Sequence, residues 1–336
     1  MVLVRANTYA ATSYSVTDIS PSLNCLAFGI NAHGQVAGYL AYPDHARAFL
    51  YSGGVMTELP TAGSVNTYAN GLNDNGDVVG YLGNQHAFLY SNGVTRDLGT
   101  LGGDQSIAYR INNAGQIVGW AQLAGNVSAH GFLYSGGTMH DLGTLGGASS
   151  GAYGINNLGQ VVGETQTGPG ADTFRAFVYA NGVTTVIGVP GMPTSAFQIN
   201  DHGQITCRGW LSGGLYHTYL YSNGSVSDLG TLGGHETTPD GLNNSGQVVG
   251  WSTMPGEAAH AFLYSDGTLF DLNNLVNTNS LGTYFTEAKG INDSGQIIAL
   301  GSNYHSYLLT PVPEPSVIAL LAAPLVLLLV KRRPSQ

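Results

Sequence analysis

Gly154 to Gly163 reads GINNLGQVVG, and the phrase is written seven times in 336 residues. Its other copies are GINAHGQVAG from Gly29, GLNDNGDVVG from Gly71, RINNAGQIVG from Arg110, QINDHGQITC from Gln198, GLNNSGQVVG from Gly241 and GINDSGQIIA from Gly290. Successive starts lie 42, 39, 44, 44, 43 and 49 residues apart, close to the period of roughly 40–45 residues that marks four-stranded propeller blades. A second phrase follows each copy: HAFLYSNGVTRDLGTLGG from His86 is the clearest, echoed from Arg47, His130, Arg175, His217, His260 and, cut short, His305.

Within one period, short β-branched and aromatic runs alternate with turn residues at intervals of about ten residues, which is a strand pattern. Repeat three predicts strands over 107–111, 116–120, 131–134 and 138–142. Asn112-Asn113-Ala114-Gly115 supplies the first hairpin turn, because Asn and Gly tolerate positive φ and Asn bonds its own backbone. No segment before residue 311 shows an apolar period of 3.6 residues over helix length. The chain is therefore expected to be all-β.

A string of four-stranded sheets can stay open or close into a ring, and the chain ends decide between them. The seventh repeat has three strands and stops at HSYLLT, His305 to Thr310. The missing fourth is found at the other end, where YSVTDIS (Tyr14 to Ser20) matches NGVTRDLGT (Asn92 to Thr100). The prediction is a seven-bladed β-propeller over 14–310, its N-terminal strand completing the last blade and leaving no open sheet edge at the seam.

Each third strand opens on a basic or imidazole residue, and an acid stands eleven positions later in five repeats: Arg47/Glu58, His86/Asp97, His130/Asp141, His217/Asp228 and His260/Asp271. Repeat four has Arg175 and Val186 instead. Across a turn with two central residues, an odd separation puts both side chains on one face of the hairpin. These residues are expected to pair, and His305 would meet Asp18 only through ring closure.

Composition narrows the function classes. Gly is 49 of 336 residues, about twice the usual ~7%, while 43% hydrophobic residues suffice for a core. Twenty acids oppose ten bases, for a net charge of −10, and three of the bases sit at Lys331, Arg332 and Arg333. Such a chain repels phosphate backbones, so nucleic acid is excluded as a partner.

The repeated polar residues have bland explanations. Histidines in register occupy different blades, and no H-x-x-x-H or Cys/His cluster joins two of them, so no metal site is expected. The N-[ND]-x-G turns lack the third carboxylate and the closing bidentate Glu of a calcium loop. DLGTLGG, from Asp97, Asp141 and Asp228, precedes strands and carries no Lys, so it reads as a blade connector and no phosphate or dinucleotide cofactor is implied. A catalytic triad finds candidates only at repeated positions, and no G-x-S-x-G elbow is present. The unrepeated acids Glu164, Glu236 and Glu257 remain as a candidate carboxylate pair for sugar hydrolysis. Cys25 and Cys207, three blade steps apart, are expected to stay unpaired, since a bridge needs Cα atoms within roughly 7 Å.

After Thr310 the composition changes. Pro311-Val312-Pro313-Glu314-Pro315-Ser316 forms a stiff linker over 311–316. An apolar stretch over 317–330 follows, read as a short helix interrupted by Pro324, and then a basic end over 331–336. Fourteen residues span about 21 Å as a helix, short of a ~30 Å hydrocarbon core, which suits transient insertion. The basic end should stay cytoplasmic and place the propeller across the membrane.

This tripartite tail resembles the PEP-CTERM sorting signal of Gram-negative bacteria that make exopolysaccharide, with Pro313, Glu314, Pro315 and Ser316 as the motif and Lys331, Arg332 and Arg333 as the basic stop. The resemblance implies an exosortase-type sorting protease as partner, a transient inner-membrane intermediate, and release or attachment at the cell surface. The seven repeats resemble the HAF-type extracellular repeat, named for the phrase seen here as His86-Ala87-Phe88 and His260-Ala261-Phe262. Such a tail also implies an N-terminal export signal. Residues 1–13 carry no apolar core, so they are expected to be the remnant of a signal peptide that begins upstream.

The functional expectation is an exported, non-enzymatic propeller with a structural or adhesive role in the matrix, acting through many weak contacts with exopolysaccharide. Two alternatives stand beside it: a lectin with one pocket per blade, and a polysaccharide hydrolase or lyase. A lectin should repeat its sites around the ring. An enzyme should break the symmetry with clustered acids in the channel.

Overall fold

The computed structural model describes residues 13–20, 24–83, 85–169, 173–189, 191–256, 258–276 and 281–312. The expected sorting motif at 313–316, the apolar stretch over 317–330 and the basic end over 331–336 lie outside the described residues, as does Glu257. Among the described residues, no helix is long and apolar enough to cross a membrane.

Seven four-stranded antiparallel sheets form the ring. The innermost strands are β2 (Asn24–Ile30), β6 (Thr67–Leu72), β10 (Gly102–Ile111), β14 (Ser150–Ile155), β18 (Thr194–Ile199), β22 (Thr237–Leu242) and β26 (Phe285–Ile291). Each pairs with the next strand in sequence: β3 (Val36–Ala41), β7 (Val78–Leu82), β11 (Ile117–Leu123), β15 (Val161–Gln166), β19 (Ile205–Trp210), β23 (Val248–Thr253) and β27 (Ile297–Gly301). Blades are numbered 1 to 7 in that order. In blade 3 the first strand begins at Gly102, five residues before the predicted start, because the connector pairs with the extended end of β11 at Leu123.

The seam closes as the two chain ends imply. Strand β1 (Tyr14–Asp18) pairs with β28 (Ser306–Pro311), from Tyr14 opposite Pro311 to Asp18 opposite Tyr307. It is the outermost strand of blade 7.

Packing explains the repeated pair of β-branched residues in QVVG. A second strand is covered on both faces, so alternation gives one side chain to each neighbouring blade. Val78 packs with Ala37 of the preceding blade, whereas Val79 packs with Ile117 of the following one. The pattern runs round the ring to Ile298, which meets Val36 across the seam. The Gly that follows is forced by close approach: a Cβ on Gly80 would sit 1.8 Å from the Tyr68 carbonyl oxygen, and one on Gly163 would sit 1.9 Å from that of Gly151.

Hairpins between third and fourth strands turn on two residues with positive φ, such as Asn92 (51°) and Gly93 (80°) or Asn223 (51°) and Gly224 (79°). These are type I′ turns, whose twist matches that of the strands they join.

Candidate functional site

The most regular polar feature is a closed ring of asparagines at one end of the channel. Asn31, Asn73, Asn112, Asn156, Asn200, Asn243 and Asn292 each donate from Nδ2 to the backbone carbonyl of the next, at 2.9–3.1 Å, and Asn292 returns to Asn31. The second Nδ2 hydrogen of Asn156 goes to Gln160 at 2.7 Å. Its Oδ1 accepts the backbone N–H groups of Leu158 and Gln160. The other six repeat this pattern, so both donors and both lone pairs of every amide are used. All seven are buried, and nothing remains on them for a ligand.

The rim pairs are likewise closed among themselves. His86, His130, His217 and His260 place Nδ1 2.8–2.9 Å from Asp97, Asp141, Asp228 and Asp271. His305 reaches Asp18 across the seam at 2.8 Å. Phe88, not His86, lies directly opposite Asp97, so the contact is diagonal. Each Asp also caps the residues that follow it through Oδ1, as where Asp97 Oδ1 accepts from Gly99 N at 2.8 Å. Arg47 and Glu58 depart from the expected pairing. The longer guanidinium reaches past the hairpin and donates to the Val65 and Ala46 carbonyls, while Glu58 accepts from Tyr42 Oη at 2.6 Å.

The channel is built differently. Every innermost strand carries a β-bulge, where pairing skips one residue between positions such as Ala27 and Gly29 or Ala152 and Gly154. A bulge leaves its extra residue unpaired and re-aims the side chain. The seven residues at that position are Phe28, Asn70, Tyr109, Tyr153, Phe197, Asp240 and Lys289, no longer one type repeated. The residue after the repeated QVVG phrase varies in the same way: Tyr39, Tyr81, Trp120, Glu164, Arg208, Trp251 and Leu300.

These departures converge. The central channel encloses about 220 Å³, and on the side of blades 3 to 6 it opens into a cavity of about 320 Å³ lined by Tyr109, Arg110, Tyr153, Glu164, Phe197, Gln198, Arg208, Pro239 and Asp240. That volume is at the lower end of the roughly 300–1,000 Å³ typical of small-ligand sites. Glu164 accepts from Tyr153 Oη at 2.7 Å through one oxygen and from Ser195 Oγ through the other. Tyr109 Oη accepts from Trp120 Nε1 at 2.9 Å. Burial pushes up both tyrosine hydroxyls, and the Glu164 charge adds to it, so both stay neutral donors.

Asp240 is the electrostatically strained member. Burial drives the Asp240 carboxyl up to about 8; Lys289 and Arg110 oppose the rise, and the neighbouring Glu287 carboxylate adds to it. Its Oδ2 is buried without a hydrogen-bond partner. The Arg208 guanidinium stands 4.8–5.0 Å from the ring centroids of Phe197, Trp210 and Tyr216, and its Nε also lacks a partner. Arg110 spends one nitrogen on the carbonyls of Asn70 and Tyr109, at 2.9 and 3.0 Å, and burial lowers its pKa. Lys289 pairs with Glu287 at 2.6 Å.

Of the three acids singled out in the sequence, only Glu164 lines this cavity; Glu236 belongs to the connector into blade 6, and Glu257 lies outside the described residues. Cys25 and Cys207 are buried free thiols, each pushed up to about 12 by burial. Sequence reasoning missed Asp240, Arg208, Arg110 and the aromatic walls. The available signal was substitution at fixed offsets from the repeated Asn: RINN and QINN-like starts replace Gly by Arg110 and Gln198, and an acid, Asp240, stands where Phe or Tyr is common.

No protein-family model and no curated protein sequence matches the chain. Solved propellers do. The β-propeller domain of the Trilobed protease from Pyrococcus furiosus is 11% identical with a TM-score of 0.55, covering 74% of this chain and 81% of that one. A catalytically inactive virginiamycin B lyase from Staphylococcus aureus, solved with quinupristin, is 12% identical with a TM-score of 0.56, covering 89% of this chain and 100% of that one. A puromycin-hydrolyzing peptidase of Mycobacterium tuberculosis is 12% identical with a TM-score of 0.55. The match covers 87% of this chain and 52% of the peptidase, about half its length. Identities this low establish the shared propeller fold and nothing finer.

Proposed function

We propose that this protein is an exported, non-enzymatic carbohydrate-binding propeller with an adhesive or structural role at the cell surface, and that it holds its ligand at one site per ring. One observation carries the reading: the side chains that break the sevenfold pattern, Glu164, Arg208 and Asp240, gather in one aromatic-walled cavity. Aromatic walls with a few placed polar groups suit a sugar ring, which offers an apolar face and a rim of hydroxyls. The saturated asparagine ring argues against one pocket per blade. Export rests on the resemblance of the tail to a sorting signal, with an exosortase-type protease as processing partner and exopolysaccharide as the extracellular ligand.

A second reading, turnover, is favoured by the contrast between Glu164, which accepts two O–H donors, and Asp240, whose carboxyl is held protonated well above its ordinary range. Two carboxyls with opposed environments are a usual basis for acid–base work on glycosidic bonds. Glycan-array binding combined with a chain-cleavage assay separates the two. The account expects retention of a glycan that is lost in a Glu164→Ala/Arg208→Ala double variant, with no cleavage by the wild type. Cleavage abolished by both Glu164→Gln and Asp240→Asn would replace binding by catalysis, and no retention of any glycan would remove the proposal.

A further inference from the structure

We infer that the cavity selects a sugar bearing a carboxylate, a hexuronic acid unit, and that Arg208 is its anion seat; this rests on the carbohydrate-binding reading above. The protein as a whole is acidic, at −10, yet its few cations are gathered at the channel. Of the six Lys and Arg among the described residues, Arg110, Arg208 and Lys289 line it. Long-range repulsion from the acidic exterior is screened within about 8 Å at physiological salt, so the local surroundings decide what is held.

Those surroundings favour a single negative charge. Glu164 is already met by Tyr153 and Ser195, and Glu287 by Lys289. The acids at the opposite, asparagine-ring end are also engaged: Asp74, Asp201 and Asp293 accept backbone N–H groups of the preceding blade at 2.8 Å. Arg208 is the exception. Three aromatic rings hold its guanidinium in place, and its Nε has no acceptor. A guanidinium fixed by stacking is pre-organised, so it loses little freedom on binding, and its planar fork matches a carboxylate through two parallel bonds. Asp240 and Gln198 also line the cavity and supply polar groups beside Arg208. Tyr153 and Phe197, stacked at 5.7 Å, form the wall against which a pyranose would lie.

The test is calorimetric titration of the full chain with an oligogalacturonic acid and with the same oligosaccharide after reduction of its carboxyls to primary alcohols. The wild type should bind the acidic form roughly tenfold or more tightly than the reduced one, as expected for charge-assisted bonds. Arg208→Ala should erase that preference and leave the weak affinity for the reduced form in place. Arg208→Lys, which keeps charge and loses the fork, should fall between them and guards against misfolding of the alanine variant, with circular dichroism confirming the fold of both. Equal binding of both oligosaccharides, binding of the reduced form alone, or a preference that survives Arg208→Ala would overturn the inference while leaving carbohydrate binding standing. Binding of neither would overturn both.

Discussion

The asparagine ring draws on all seven blades and the cavity on four of them, only a few residues apart along the innermost strands, and they are opposites. At the ring, seven identical side chains satisfy one another completely. On the bulge three residues upstream, seven positions carry five residue types, and nearby polar atoms of Asp240 and Arg208 are left without partners. The repeat builds the scaffold because each copy needs its neighbour. The site arises where copies stop resembling one another, because the side chains that depart from the repeat are the ones that line the cavity.

The sharpest way to break the comparison is to damage the ring. Asn156→Ala removes four hydrogen bonds from a buried position and strands the partners it leaves behind. A loss on the order of 3 kcal/mol is expected, read as a lowered unfolding midpoint. Ligand affinity measured well below that midpoint should change little. A variant that stayed as stable as the wild type would show that ring closure is incidental.

A smaller effect, of opposite sign, is expected in the cavity. A carboxyl raised from 3.8 to about 8 holds its proton more tightly when folded. Its contribution to stability is therefore complete at pH values below its unfolded value and is lost as pH rises toward 8. Asp240→Asn removes that loss. It should melt above the wild type near pH 8, by roughly 1–2 °C for each kcal/mol recovered in a chain of this length, and the gap should close toward pH 4. Parallel melting curves at all pH values would contradict the assignment.

The smallest effect tests the seam against the blades. Asp18→Ala and Asp141→Ala remove the same contact to histidine, at 2.8 Å in both, but the first joins chain ends and the second lies within one hairpin. Each partly exposed pair contributes about 1 kcal/mol or less. Asp18→Ala should lower the midpoint more, because it also loosens the ring. Equal shifts would mean that the pairing of β1 with β28 closes the ring without help.

Much of the architecture was legible because it is periodic: one strand pattern, repeated, implies its own neighbours, and the truncated seventh copy points to Tyr14–Asp18 as its missing strand. The His/Asp contacts followed from spacing across a two-residue turn. Arg47 escaped the rule because a guanidinium reaches farther than an imidazole, a matter of side-chain length that spacing does not encode. The cavity was hardly legible. Glu164 stood out as an unrepeated acid, but Asp240 and Arg208 belong to adjacent blades and are brought together by blade packing and by the bulge at Asp240, which leave no local signature beyond a break in the repeat.

The central claim is that seven repeats make one site. Titration calorimetry with the glycan that binds most tightly counts sites directly. The account predicts one ligand per chain and loss of that binding in the Glu164→Ala/Arg208→Ala double variant. A stoichiometry approaching seven, undiminished in that variant, would place recognition on the repeated blades and contradict it.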